Sequence, residues 1–215
     1  MNYQQINSKV VSVKINPGTP VLARRGAMLG YDGDISFLPV HGQGTDMRSR
    51  VGAHMANETN KMMAAQGEGT IYYGHRGYYA TVVELNNETL TCEADRLLVH
   101  DANLQTSVEF IGSGGAREAV RGMMTGQGLF TTKVHGSGKV VLLSHGGTFP
   151  LDVGGNAGSV SVDPQAYVGH TGAVTVNLTG KVGLRDAIGR GSGEAFQLKF
   201  TGTGKVYVQA SEQKI

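Results

Sequence analysis

The chain has one cysteine, Cys92, in 215 residues, which rules out an internal disulfide and any cysteine-rich zinc site. In the alternating stretch Leu90-Thr91-Cys92 that thiol is expected to serve as a small buried apolar residue. No run of 18 apolar residues occurs, so a conventional membrane-spanning helix is not expected. The opening MNYQQINSKVVSVKINPG has no charged-then-apolar leader with a cleavage site, and the expectation is a soluble, cytoplasmic protein. Without a secretory route, the sequons at Asn57, Asn87 and Asn177 are read as chance. An excess of one charge is also missing. Nineteen basic residues face 17 acidic ones, for a net charge of +2 without long runs, and this gives little attraction for a polyanion. Nucleic acid is therefore not an expected partner.

Glycine is what the chain has in plenty: 33 residues against only five prolines, about twice the usual share. Strand-type alternation runs throughout. Val11, Val13 and Ile15 alternate with Ser12 and Lys14, and Val174, Val176 and Leu178 with Thr175, Asn177 and Thr179. Phe196, Leu198 and Phe200 form the first arm of an expected hairpin, with Gly202-Thr203-Gly204 as its turn and Lys205-Val206-Tyr207-Val208 as its second arm. The same Gly-x-Gly element begins at Gly67, Gly136 and Gly202, at intervals of 69 and 66 residues. Gly67, Gly69, Gly136, Gly138, Gly202 and Gly204 are accordingly read as structural turns.

Three further landmarks keep the same order. Glu58, Gln127 and Glu194 precede the glycines; Arg48/Val51, Arg117/Val120 and Arg185/Ile188 lie further upstream. The segments LGYDGDI, LVHDANL and YVGHTGAV put Gly30, His100 and Gly169 in matching places, with turn-forming Gly33, Asn103 and Gly172 three residues later. This periodicity predicts one all-β domain over residues 1–215, a β-sandwich or prism of three units at about 8–85, 86–153 and 154–212 in pseudo-threefold arrangement. The Met- and Ala-rich stretch from Arg48 to Gln66 suits a helix by propensity. Its counterparts alternate as strands, so Lys61–Ala65, Phe130–Val134 and Gln197–Thr201 are predicted strands. Helix is limited to short turns near Arg48–Ala56, Arg117–Arg121 and Leu184–Ile188.

The motifs that announce common chemistries are absent. There is no HExxH, CxxC, His-x-His, GxxxxGK[ST] or Gly-x-Ser-x-Gly, and no catalytic residue, cofactor or metal is assigned. Gly112–Gly115 and Gly189–Gly193 lack the spacing of a dinucleotide loop. A cupin-type metal site would draw on His75, His100, His135, His145 and His170, but no pair has ligand spacing. Surface or turn positions are the simpler reading of these histidines. Arg48, Arg117 and Arg185, with the Arg24-Arg25 pair beside a predicted turn, form the candidate set for an anion site or subunit interface. Local pairing with Asp46, Glu118 or Asp186 is the alternative. Glu58 and Glu194 do not suit acid–base work as a repeated device, since the middle copy is Gln127.

The segments VLARRGAMLGYDGDISF, GLFTTKVHGSGKVVLLS, DPQAYVG and IGRGSGEAFQLKFTGTGKVYVQAS resemble a family named for altered inheritance of mitochondria, number twenty-four. Its domain is similar to the tryptophan RNA-binding attenuator fold, and the closing segment resembles bacterial members. The resemblance implies a β-sandwich or prism with internal repeats that commonly forms homo-oligomers. It implies a scaffold-like role without a reaction, and RNA binding does not transfer with the fold. In NETNKMMAAQGEG, Asn57 stands where the family more usually has glycine. The expectation is a non-enzymatic, self-associating interaction protein, with a protein partner or a membrane surface also open. The alternatives are a binding module for a small anion, polyanion or anionic lipid headgroups and, behind it, the cupin-type metalloenzyme.

Overall fold

A computed structural model of the chain describes residues 2–40, 62–110, 130–179, 197–213 and 215. Alternation becomes strand where it was found. In β2 (Val10–Ile15), Val11, Val13 and Ile15 are fully buried, each contributing about 1.5–3 kcal/mol of apolar transfer. β1 (Asn2–Asn7) pairs with it, and β3 (Val21–Arg24), β4 (Met28–Pro39) and β5 (Met62–Tyr73) follow. Next come β6 (Tyr79–Glu93), β7 (Leu97–Asp101), β8 (Gln105–Phe110) and β9 (Phe130–Ser144). β10 (Thr148–Val153), β11 (Val160–Val162), β12 (Tyr167–Thr179) and β13 (Gln197–Gln209) complete the order. The fold is all-β. Among the described residues every pairing is antiparallel, and the 13 strands join in one continuous hydrogen-bonded sheet. Among the described residues, helix is confined to single 3₁₀ turns at Ala94–Arg96 and Gly155–Ala157. The expected strands at 62–65, 130–134 and 197–201 are present, whereas the three expected helical turns lie outside the described residues.

Three long strands organise the pairing. β5 carries β4 along one side, with β2 and β3 end to end along the other. β9 carries β6 on one side and β7 followed by β8 on the other. β13 carries β12 on one side and β10 followed by β11 on the other. Two short joints link these groups. In the first, Val21, Leu22 and Ala23 of β3 lie opposite Asp101, His100 and Val99 of β7. In the second, Leu90, Thr91 and Cys92 of β6 lie opposite Thr171, His170 and Gly169 of β12. Apolar clusters follow the joints. One joins Val13, Ile71 and Tyr73 to Leu98, Val99 and Val141, and another joins Leu90, Cys92 and Val134 to Val168. A third, around Leu198, Phe200 and Val206, stays within the C-terminal group.

The Gly-x-Gly elements are not turns. Gly67 and Gly69 lie inside β5, Gly136 and Gly138 inside β9, and Gly202 and Gly204 inside β13. The expected C-terminal hairpin is instead one uninterrupted strand, β13, whose long partner is β12. Gly33 and Gly172 are likewise within β4 and β12, and of the three residues expected to turn there only Asn103 does so. The reason is close backbone approach. Gly33 faces Gly69 and Gly172 faces Gly204. At Gly67 the backbone has φ +121° and a Cβ would strike the Asp34 carbonyl oxygen. Glycine in mid-strand marks such a kink as readily as it marks a turn, and the sequence pattern does not separate the two.

Candidate functional site

The first joint concentrates the buried polar chemistry. β7 is hemmed by β3 on one side and β9 on the other, and all five of its residues are buried, including His100 and Asp101. Asp101 meets that burial with two hydrogen bonds: the Tyr3 hydroxyl donates to Oδ1 at 2.7 Å and the Lys139 backbone N–H to Oδ2 at 2.9 Å. Burial, reinforced by the Asp101 charge and hydrogen bond, pushes the Tyr3 hydroxyl far above its usual range, so it stays a donor. His100 donates from Nδ1 to the Asp101 carbonyl oxygen at 2.9 Å, and burial holds its pKa below the ordinary value. His100 therefore departs from the expected surface position. A polar ring in the run Leu97-Leu98-Val99-His100 is carried inward with the strand.

Immediately before β7 the 3₁₀ turn gathers two arginines. Arg96 is fully buried; Nε donates to Glu93 Oε2 at 2.7 Å and Nη1 to Gln209 Oε1 at 2.8 Å, which ties β6 to the end of β13. The Gln209 side chain also accepts from the His145 N–H and donates to the carbonyl oxygens of Gln165 and Gln213. Arg24, at the end of β3, donates to the Leu97 and Ala94 carbonyl oxygens at 3.1 Å and pairs with Asp95 at 3.5 Å. Its guanidinium is thus engaged in holding the turn. Arg25 is exposed in the turn after β3. Arg48, Arg117 and Arg185, with Glu58, Gln127 and Glu194, lie outside the described residues.

The remaining histidines are dispersed. His135 Nδ1 is 2.9 Å from Thr89 Oγ1, and His170 Nδ1 is 2.7 Å from the Tyr167 hydroxyl. His145 packs edge-on to Tyr78, and His75 lies beside the same ring. Partial burial, then the Arg24 and Arg76 charges, hold His75 below its usual pKa. Among the described residues no three His, Cys, Asp or Glu side chains come close enough to hold a metal ion. Cys92 is fully buried at the second joint, in the role read from the sequence.

A different surface stands out at the N-terminal end of the sheet. β4 pairs only with β5 among the described strands, and it exposes Leu29, Tyr31 and Leu38. Sequence reasoning missed this edge, as it missed Arg96 and Asp101. The signal available for the latter pair was two charged residues bracketing Leu97-Leu98-Val99-His100.

A family model described as mitochondrial biogenesis AIM24 matches residues 2–211. The chain belongs to this family. The AIM24 match spans all 13 described strands, from β1 through the end of β13. A crystal structure of a protein from Streptococcus pyogenes is similar in fold, with a TM-score of 0.71 at 18% identity over 98% of this chain and 92% of that one. No curated protein matches. No helix is long and apolar enough to cross a membrane among the described residues.

Proposed function

We propose that this AIM24-family chain is a non-enzymatic scaffold, cytoplasmic in location, that associates with itself through β edges. The observation that carries the reading is β4: a 12-residue strand paired on one side among the described residues, with three large apolar side chains exposed. Unassociated sheet proteins blunt such an edge with charges, lysine above all, with proline, bulges or a cover. β4 has Asp32 and Asp34 at its middle and an irregularity at Met28–Gly30, but no lysine or arginine, and its one proline is its last residue, Pro39. The like pairing of β5, β9 and β13 supports the further reading of three units at about 8–85, 86–153 and 154–212. The buried Asp101, His100, Glu93 and Arg96 are engaged with one another and with backbone, which favours structural over catalytic roles.

The anion or lipid-headgroup alternative loses support where Arg24 is engaged at the 3₁₀ turn. Light scattering coupled to size exclusion at low and high salt tests the leading reading. A discrete oligomer that survives high salt is expected, because apolar contacts are not screened. A monodisperse monomer at micromolar concentration overturns it.

A further inference from the structure

The two internal joints use one register, and that register identifies two strands, β11 and β4, that lie off the main path of the sheet and have one neighbour each among the described residues. Each joint begins with the residue paired two positions before the first glycine of the long strand's Gly-x-Gly: Val21 pairs with Ala65, Leu90 with Val134. It lies opposite the residue three positions after the corresponding glycine of the next long strand: Asp101 follows His100, the partner of Val140, and accepts from the Lys139 N–H through Oδ2, and Thr171 pairs with Lys205. On β13, Phe200 pairs with Val160 of β11 and Val176 of β12; β11 lies across β13 from β12 as β3 lies across β5 from β4, so the rule selects Val160. On β5, Thr70 pairs with Asp32 of β4 and Lys14 of β2; Lys14 already has Asn2 on its other side, which leaves Asp32. Neither β11 nor β4 has a second strand beside it among the described residues.

The chemistry of the two halves matches the joints already made. Val21-Leu22-Ala23, Leu90-Thr91-Cys92 and Val160-Ser161-Val162 each put apolar residues on either side of a middle one. The middle residues of the other halves are His100, His170 and Tyr31, each with a ring. Asp32 Oδ1 accepts from the Thr70 N–H at 3.2 Å, as Asp101 Oδ2 does from that of Lys139. Tyr31 is 49% exposed and His100 only 1%.

We propose that β11 of one copy pairs antiparallel with β4 of a second copy, with Val160 opposite Asp32, Ser161 opposite Tyr31 and Val162 opposite Gly30. This rests on the self-association reading and names its surface. Charge complements the pairing. β4 carries only Asp32 and Asp34, and the exposed Lys199 lies across from Ser161 on β13. A symmetric pairing of two β4 strands centred on Gly33 would instead set Asp32 against Asp34, which is repulsive. The contact is head-to-tail, so it generates a ring or an open filament according to the rotation at each step.

Cysteine cross-linking tests it on the full chain. Tyr31→Cys and Ser161→Cys, made in separate chains and mixed under mild oxidation, are expected to give a reducible band at dimer mass, because directly opposed strand residues are within disulfide reach. Cys92 is buried and does not compete. Leu38→Cys mixed with Ser161→Cys is expected to give none. An oligomer by light scattering without the Tyr31→Cys/Ser161→Cys band overturns this pairing and leaves self-association standing, whereas a monomer overturns both. A chain carrying both substitutions that closes the bond within itself also overturns the proposal, since the two halves would then meet inside one molecule.

Discussion

His100 and Tyr31 hold corresponding places in the register of two strands, yet one is enclosed and the other half open to solvent. Around His100, β3 covers one edge of β7 and β9 the other, and the charged groups thereby sealed in are held: Asp101 by Tyr3 and Lys139, Arg96 by Glu93 and Gln209, with Arg96 Nη2 left without a hydrogen bond among the described residues. Around Tyr31, β5 alone covers an edge among the described residues, and Asp32 and Asp34 remain exposed beside apolar Leu29 and Leu38. The difference shows that side-chain type at this position does not decide burial. The arrival of a second strand does, and with it come the hydrogen bonds that make burying a carboxylate and an imidazole tolerable.

The largest effect should come from removing one partner on the enclosed side. Arg96→Ala removes the buried guanidinium that holds both Glu93 and Gln209 and is expected to cost about 3–5 kcal/mol, read as a lower urea midpoint. Next is the backbone beneath the open edge. Gly67→Ala, at φ +121°, should cost at least about 1–3 kcal/mol from strain alone. Gly138→Ala, under the joint, meets the Asp101 side chain rather than backbone and should cost less in the same denaturation series.

Tyr3→Phe takes one donor from Asp101 and is expected to cost about 1.5–3 kcal/mol; an equal loss from Tyr31→Phe would erase the contrast between the two sites. His100 adds a pH signature. Its folded pKa lies below the unfolded value of 6.5, so the unfolded chain binds the extra proton first as pH falls. Stability is therefore lost below about pH 6.5 and is level above it for this group. His100→Gln should flatten that part of a thermal-melt profile against pH. Smallest of all, Tyr31→Ser should change the stability of the isolated chain by no more than about 0.5 kcal/mol, while lowering the mass seen by light scattering.

Much of the architecture was legible beforehand because alternation is a local signal. Val11, Val13 and Ile15 declare a half-buried strand whatever they pair with, and the strand at 62–65 followed from its counterparts despite a helix-favouring composition. The glycines were misread, since a kinked strand and a tight turn make the same demand on the residue. Arg48, Arg117 and Arg185 were selected by periodicity, which finds positions that recur and passes over those that occur once. Arg96 and Asp101 are of the second kind. The edge at β4 was also hidden, because a strand's sequence does not say how many neighbours it has.

By itself the sequence determined that this is an all-β chain with glycine at three regularly spaced places, because strand periodicity and the backbone freedom of glycine are properties of neighbouring residues. Only the tertiary structure decided that those glycines sit inside strands, that His100, Asp101 and Arg96 are enclosed, and that Tyr31 is not. Pairing joins residues far apart in the chain, such as Tyr3 with Asp101 and Arg96 with Gln209, and burial is set by what the pairing brings alongside.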